Sequence, residues 1–581
     1  MKKIWPYILI ALIVLTVCIL PLGGRPLLTP DETRYAEIPR EMILSGNYVS
    51  PRLNGVRYFE KPALAYWAFA ISFKLFGMNS FALRLPCMLA MLATAWIVYM
   101  LMGHYDRAPR IRLLGALSFA AMPLVYLLAT VAVTDMFLTL FVTGASATFF
   151  LAAQDDTGRG KRVLLLLLCG LCCGLAFLSK GFLAFAVPVV TLVPYLIWDR
   201  KWKKIFTLPW IPLAATLLIA LPWCIAIHRQ EPDFWRYFFF EEHVKRFFGL
   251  KFWHHFLTAE QIRQLFGNEQ KKAQHARNFF YFFPFLAAAL AVWLPMIPDL
   301  FRAWRTQVKD SPLLKFCVCG VVLPFLLFSC SSGKLPTYIL PCLPPAAILI
   351  AAGAEKFFVE ERRDKAFHLT LLILAALLPL TLLLVTINML TRFPAVFFMK
   401  EDWPQILLLA AVSAMSLTGL FLAWKAKARY AKLYLFLIAL LPALFASNFV
   451  FPTRMKEWQA PSLFLEKVAD SGEFPKENTV IVVRREPFQA ACLAFRSAEV
   501  RMFEKKDEIE YGMSYPEEQY RFIPDFPALK ELCREQKAKN GHVAVITPLE
   551  KLHYFEESMP PPEQTWKSDP GMKTGFAILL Y

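Results

Sequence analysis

Long apolar runs separated by short polar joints make up most of this chain. They fall at about 4–22, 81–102, 113–131, 132–153, 163–179, 182–198, 207–227, 281–301, 313–331, 338–354, 367–390, 405–424 and 432–451. Each holds roughly 17–24 residues, enough to cross a hydrocarbon core of ~30 Å as a helix. About thirteen such runs predict a polytopic α-helical integral membrane protein. Past residue 451 the pattern changes. The tail, 452–581, is charged, with strand-like stretches at 479–484, 542–547 and 575–581 and a helical piece at 526–537, so it reads as a small soluble α/β domain. Two polar loops, 23–80 and 228–280, are too long to be simple joints. Within the first, 39–45 and 64–76 are expected to lie as helices along the membrane surface.

Composition supports this picture. Hydrophobic residues make up 57% of the 581, above the ~45–50% of soluble domains. The net charge of +18 would suggest nucleic acid in a soluble protein, but no compact basic domain is present. The charge follows the topology instead. Met1-Lys2-Lys3 ahead of the first apolar run, which lacks a good small-residue cleavage site, predicts a retained span with a cytoplasmic N-terminus. Alternate loops are then basic: Arg107/Arg110/Arg112, Arg159/Lys161/Arg162, Arg200/Lys201/Lys203/Lys204, Arg302/Arg305/Lys309, Arg362/Arg363/Lys365 and Lys425/Lys427/Arg429/Lys432. An odd number of spans leaves the tail outside, with the two long loops. Twelve cysteines are present. Cys169, Cys172 and Cys173 lie at membrane depth and read as helix-packing residues, while Cys492 and Cys533 in the tail can pair or stay free.

The basic residues that break the charge rule are the candidates for chemistry. Lys180 and Lys334 occupy tight outer turns, and Arg57, Lys61 and Arg246 lie in the outer loops beside acids and tyrosines. A cation there has no topological role, so a phosphate-bearing substrate is expected. The densest patch is Thr29-Pro30-Asp31-Glu32-Thr33-Arg34-Tyr35-Ala36-Glu37 with Tyr58-Phe59-Glu60-Lys61-Pro62. Asp31, Lys61 and Asp135 are the expected catalytic residues. Arg34, Tyr35, Arg57, Tyr58, Glu60, Lys180, Arg246, Lys334 and Tyr338 are expected to bind substrate. Glu60 with His243 can hold a divalent metal, the alternative being a hydrogen-bonded histidine.

These residues carry a family resemblance. The two motifs above, Lys180-Gly181-Phe182-Leu183-Ala184, Glu231-Pro232-Asp233-Phe234-Trp235, Gly333-Lys334-Leu335-Pro336-Thr337-Tyr338-Ile339-Leu340 and Tyr511-Gly512-Met513-Ser514-Tyr515-Pro516 together resemble the bacterial lipid A 4-amino-4-deoxy-L-arabinose transferases. The resemblance covers nearly the whole chain. Residues 250–272, ahead of Ala273-Gln274-His275, read as an insertion. It implies the GT-C architecture over 1–451, related to protein O-mannosyltransferases, in the bacterial inner membrane with site and tail periplasmic. It implies an inverting-type transfer of the aminosugar from undecaprenyl phosphate, as lipid-linked substrate, to a lipid A phosphate, lowering surface charge and weakening binding of cationic peptides such as polymyxin. The protein is expected to act as a monomer among membrane lipids. A protein O-mannosyl or O-glycosyl transferase is the alternative, in which Asp31 would serve as base toward a hydroxyl acceptor. A polyprenyl-lipid flippase or transporter is more distant, because it calls for charges near the bilayer midplane or inverted repeats, and neither is seen.

Overall fold

The computed structural model describes residues 11–248, 276–391, 398–485, 487–568 and 575–581. The expected insertion at 250–272, His275 and the start of the first apolar run lie outside them. Among the described residues, nine helices are long and apolar enough to span a membrane, and eleven if each of two bent pairs is one span. The remaining two runs lie on shorter apolar helices, Ala11–Gly23 and Leu183–Trp198.

Both bent pairs depart from the straight spans expected at 113–131 and 281–301. Pro109–Ala120 and Pro123–Ala129 meet at 67°, and Phe279–Ala289 and Ala291–Gln307 at 83°. At the first bend, Met122 is extended (ψ 125°). A residue before proline is pushed out of the helical region, and Pro123 has no N–H to donate backwards. Straight helices begin with local caps: the Asn79 side chain accepts from Ala82 N at 2.9 Å and Ser311 from Leu314 N at 3.3 Å.

Small residues set the closest helix approaches. A methyl added to Gly144 would lie 2.9 Å from Cys172 Sγ, and one on Gly170 would lie 2.4 Å from the Pro212 carbonyl. Helices Asp135–Ala152, Arg159–Lys180 and Trp210–Gln230 therefore pack through glycine and cysteine, as small-residue seams allow. Cys169, Cys172 and Cys173 belong to this seam, and Cys492 and Cys533 are both free.

The first long loop carries two lateral helices, Asp31–Ser45 and Leu64–Phe76. The first begins eight residues earlier than the expected 39–45, with Pro39 inside it. Its start is fixed by Glu32, which is fully buried and accepts from Arg25 (2.9 Å), from Arg84 (2.7 and 2.8 Å) and from the Leu28 and Ala132 amides (3.0 and 3.3 Å). Burying this carboxylate is tolerable because two guanidiniums and two amides satisfy it. Leu44, Ile71, Leu75 and Phe76 are left exposed on the lateral helices.

The tail folds around a six-stranded sheet in the order Phe522–Ile523, Arg501–Phe503, Thr479–Val483, His542–Pro548, Phe576–Leu580 and Gln564–Lys567. The first four strands run parallel, and the last two join antiparallel. The tail is clamped to the first loop. Asn54, in the turn of the Arg52–Leu53 and Val56–Arg57 hairpin, donates to Val500 O at 2.7 Å and accepts from Val500 N at 2.9 Å. Gly55 adopts φ +73°, and a side chain there would meet the Ala498 carbonyl at 2.7 Å.

Candidate active site

The helix ends gather the expected residues at one end of the bundle. Asp135 opens helix Asp135–Ala152, Lys180 closes Arg159–Lys180, and Tyr338 lies just inside Pro336–Glu360. The basic clusters Arg159/Lys161/Arg162 and Arg362/Arg363/Lys365 flank the opposite ends of these helices.

Two ion-paired groups form the floor of a pocket with a volume of about 80 Å³. Lys180 Nζ donates to Asp135 Oδ1 at 2.5 Å and lies 4.6 Å from the centre of the Tyr338 ring. Beside it, Glu242 Oε2 accepts from both Lys61 Nζ (3.0 Å) and Arg246 Nη1 (2.8 Å). Burial alone would raise the Glu242 carboxyl, but Lys61 and Arg246 outweigh it and hold it down at about 2. Glu242 therefore stays ionised and keeps the two cations side by side. Arg246 Nε is buried with no hydrogen-bond partner among the described residues. Lys61, Lys180 and Arg246 thus converge on one pocket with Glu242, and Arg246 keeps an unused donor. That is the electrostatic character a phosphate requires.

His243 follows Glu242 on the same segment, Tyr237–Lys245. Its Nδ1 bonds the Phe238 carbonyl at 2.7 Å, and its Nε2 faces the Phe182 amide at 3.4 Å. Burial lowers its pKa, favouring the neutral ring. These two contacts fit the hydrogen-bonded alternative expected for His243. Among the described residues no group of three or more His, Cys, Asp or Glu is arranged around a common point as metal ligands. Gly181 in the Lys180 turn has φ +81°, and a side chain there would strike His243 Nε2 at 2.5 Å. This explains the Lys-Gly-Phe sequence.

The second half of the site lies on the lateral helix. Asp31 is 59% exposed and sits 3.5 Å from Arg34. Arg34 is held by Glu508 of the tail, Nε at 3.1 Å and Nη2 at 2.9 Å. Tyr35 is buried, stacks on Tyr66 with ring centres 6.0 Å apart, and lies within reach of the Asp31 and Asp135 charges. The charge of Glu60 acts on Arg34 and Arg246 alike, so it stands between the two halves. Tyr58 is buried beside Arg34 and Glu60.

Two expected residues have other partners in the structure. Arg57 pairs with Glu231 (2.6 Å) and Glu517 (2.8 Å) and stacks on Tyr515 at 4.0 Å, which ties the hairpin to the tail. Lys334 donates to the Ser331 carbonyl and, at 3.1 Å, to the Arg277 carbonyl, in a turn whose Ser331 and Gly333 line the pocket. Glu242 and Glu508 are the residues the sequence did not single out. Glu242 stands four positions before Arg246, an i,i+4 helical pair, and that spacing was the available signal. For Glu508 no local signal existed.

A family model described as dolichyl-phosphate-mannose-protein mannosyltransferase matches residues 3–238, and one described as arabinosyl transferase ArnT, C-terminal domain, matches 457–573. A protein of Erwinia tasmaniensis named undecaprenyl phosphate-alpha-4-amino-4-deoxy-L-arabinose arabinosyl transferase is 35% identical, covering 94% of each chain. One of the same name from Edwardsiella ictaluri is 32% identical over 100% of this chain and 99% of its own. Among solved structures, ArnT from Cupriavidus metallidurans bound to undecaprenyl phosphate superposes with a TM-score of 0.80 at 20% identity, covering 99% of this chain and 98% of that one. Its apo state gives a TM-score of 0.79.

Proposed function

The chain belongs to the undecaprenyl phosphate-α-4-amino-4-deoxy-L-arabinose arabinosyl transferase family, and from that premise we propose that it moves 4-amino-4-deoxy-L-arabinose from undecaprenyl phosphate to a phosphate of lipid A. It is a multi-pass membrane glycosyltransferase. The observation that carries the reading is the convergence of Lys61, Arg246 and Lys180 on one pocket, two of them held side by side by Glu242.

In the proposed reaction a lipid A phosphate oxygen attacks the anomeric carbon. The bond from that carbon to the donor phosphate oxygen breaks, and the electron pair leaves with undecaprenyl phosphate. Lys61 and Arg246 stabilise the charge gathering on the leaving phosphate, the contribution that usually dominates such catalysis. Glu242 positions both cations, and Asp135 positions Lys180. An anionic acceptor needs no proton removed, so Asp31 orients acceptor or sugar rather than serving as base. The basic loops at the opposite helix ends support an inner-membrane orientation with the site and tail in the periplasm.

Purified protein incubated with the aminosugar donor and lipid A, read by mass spectrometry, tests this. The expected result is lipid A heavier by one aminosugar residue, with the rate down about 100-fold or more in Lys61→Ala. Transfer to a peptide hydroxyl and not to lipid A would instead favour the protein-glycosylating reaction that the 3–238 match allows.

A further inference from the structure

The lateral-helix half of the site is acidic, opposite in character to the phosphate pocket. Asp31, Glu60 and Glu508 surround one cation, Arg34, which lies 3.5 Å from Asp31 and 2.9 Å from Glu508. The Glu60 charge acts on both Arg34 and Glu508. Its carboxylate makes no hydrogen bond or ion pair among the described residues; only its carbonyl is used, by Lys61 Nζ at 2.9 Å. Above pH about 7, where Glu508 is ionised, three carboxylates stand against one guanidinium and leave this half under-neutralised.

A second observation points to the same place. Tyr58 is 2% exposed and Tyr66 fully buried, yet neither hydroxyl has a hydrogen-bond partner among the described residues. Both phenols lie close enough to Arg34, Glu60 and Glu508 to respond to their charges. Buried hydroxyls are seldom left unpaired in a folded protein. Two of them beside an acidic surplus make a cradle for a polar ligand that brings donors and positive charge.

We propose that Asp31, Glu60 and Glu508, with the hydroxyls of Tyr58 and Tyr66, form a subsite that reads the ammonium group of the donor sugar and selects a protonated amine over a neutral substituent. This rests on the lipid-linked aminosugar reading above. The backbone at 60–61 divides the two halves: Lys61 turns to Glu242 and Arg246, while Glu60 serves the Arg34 cluster. A donor with a lipid phosphate at one end of its sugar and an ammonium on the ring has the same polarity. A neutral ring leaves the surplus carboxylates uncompensated, and sites built for a charged or hydrogen-bonding group reject analogues that lack it. Glu508 comes from the tail, so the tail contributes to sugar choice.

The test compares the aminosugar donor with the same donor N-acetylated to a neutral amide. The kcat/KM ratio of the two is measured for the full-length wild type, Glu60→Gln and Glu508→Gln. Wild type is expected to prefer the amine, and each variant to cut that preference about tenfold or more. Where turnover is too slow, calorimetric binding of the two donors supplies the same ratio, and Glu60→Asp is expected to retain part of the preference. An unchanged ratio in both variants overturns the ammonium subsite while leaving the transfer reaction standing. A wild type that transfers neither sugar overturns both.

Discussion

Glu508 shows what single residues contribute and how little of it is visible locally. Burial, against the opposing pull of Arg34, raises its carboxyl to about 7, above the ~4.3 of an exposed glutamate. The folded protein therefore takes up this proton early as pH falls, and below about 7 Glu508 is neutral. Losing that charge weakens the hold on an ammonium, so the donor KM is expected to rise as pH drops from about 8 to about 6. Glu508→Gln should flatten this limb, and an unchanged profile in the variant would assign the titration to another group. Lys61, Lys180 and Asp135 could be found in the sequence because charges on the outer face of an apolar protein stand out. Arg57 and Lys334 stood out for the same reason, but the structure gives them to Glu231 and to backbone carbonyls. Partners 174 positions away, as for Arg57 and Glu231, leave no local trace.

Among the elements, the lateral helix Asp31–Ser45 divides the Asp-Glu pair between two tasks. Helical geometry turns adjacent residues by about 100°, so one side chain faces inward and the other outward. Glu32 is buried between Arg25 and Arg84, whereas Asp31 faces the site. Glu32→Gln leaves two guanidiniums uncompensated in the interior, a loss of about 3–5 kcal/mol. It should lower the midpoint of thermal unfolding in detergent by several degrees, while Asp31→Asn leaves it nearly unchanged and suppresses transfer. Equal midpoints in the two variants would contradict this division. The sequence marked the patch but could not separate the neighbours, because which residue turns inward depends on where the helix starts. The expected span was 39–45; the helix instead runs from Asp31 through Pro39, anchored by the Glu32 network.

Across the whole molecule, hydrophobic periodicity carried most of the architecture, since backbone groups in hydrocarbon leave the chain few choices besides helices. The two sharp bends escaped it, because a run of apolar residues has the same composition whether straight or folded back. In the tail, the strands at Thr479–Val483, His542–Pro548 and Phe576–Leu580 were legible, while Arg501–Phe503 and Phe522–Ile523 are too short to show a period. The clamps at Asn54 and Arg57 and the Arg34–Glu508 pair join the tail to the first long loop. In the proposed reaction Lys61 and Arg246, held together by Glu242, receive the donor's phosphate. A crystal structure of the protein with undecaprenyl phosphate bound decides this. The phosphate is expected within hydrogen-bonding distance of Lys61 Nζ and Arg246 Nε, beside Lys180. A phosphate bound away from this pocket, with Lys61 and Arg246 still paired to Glu242, would rule this out.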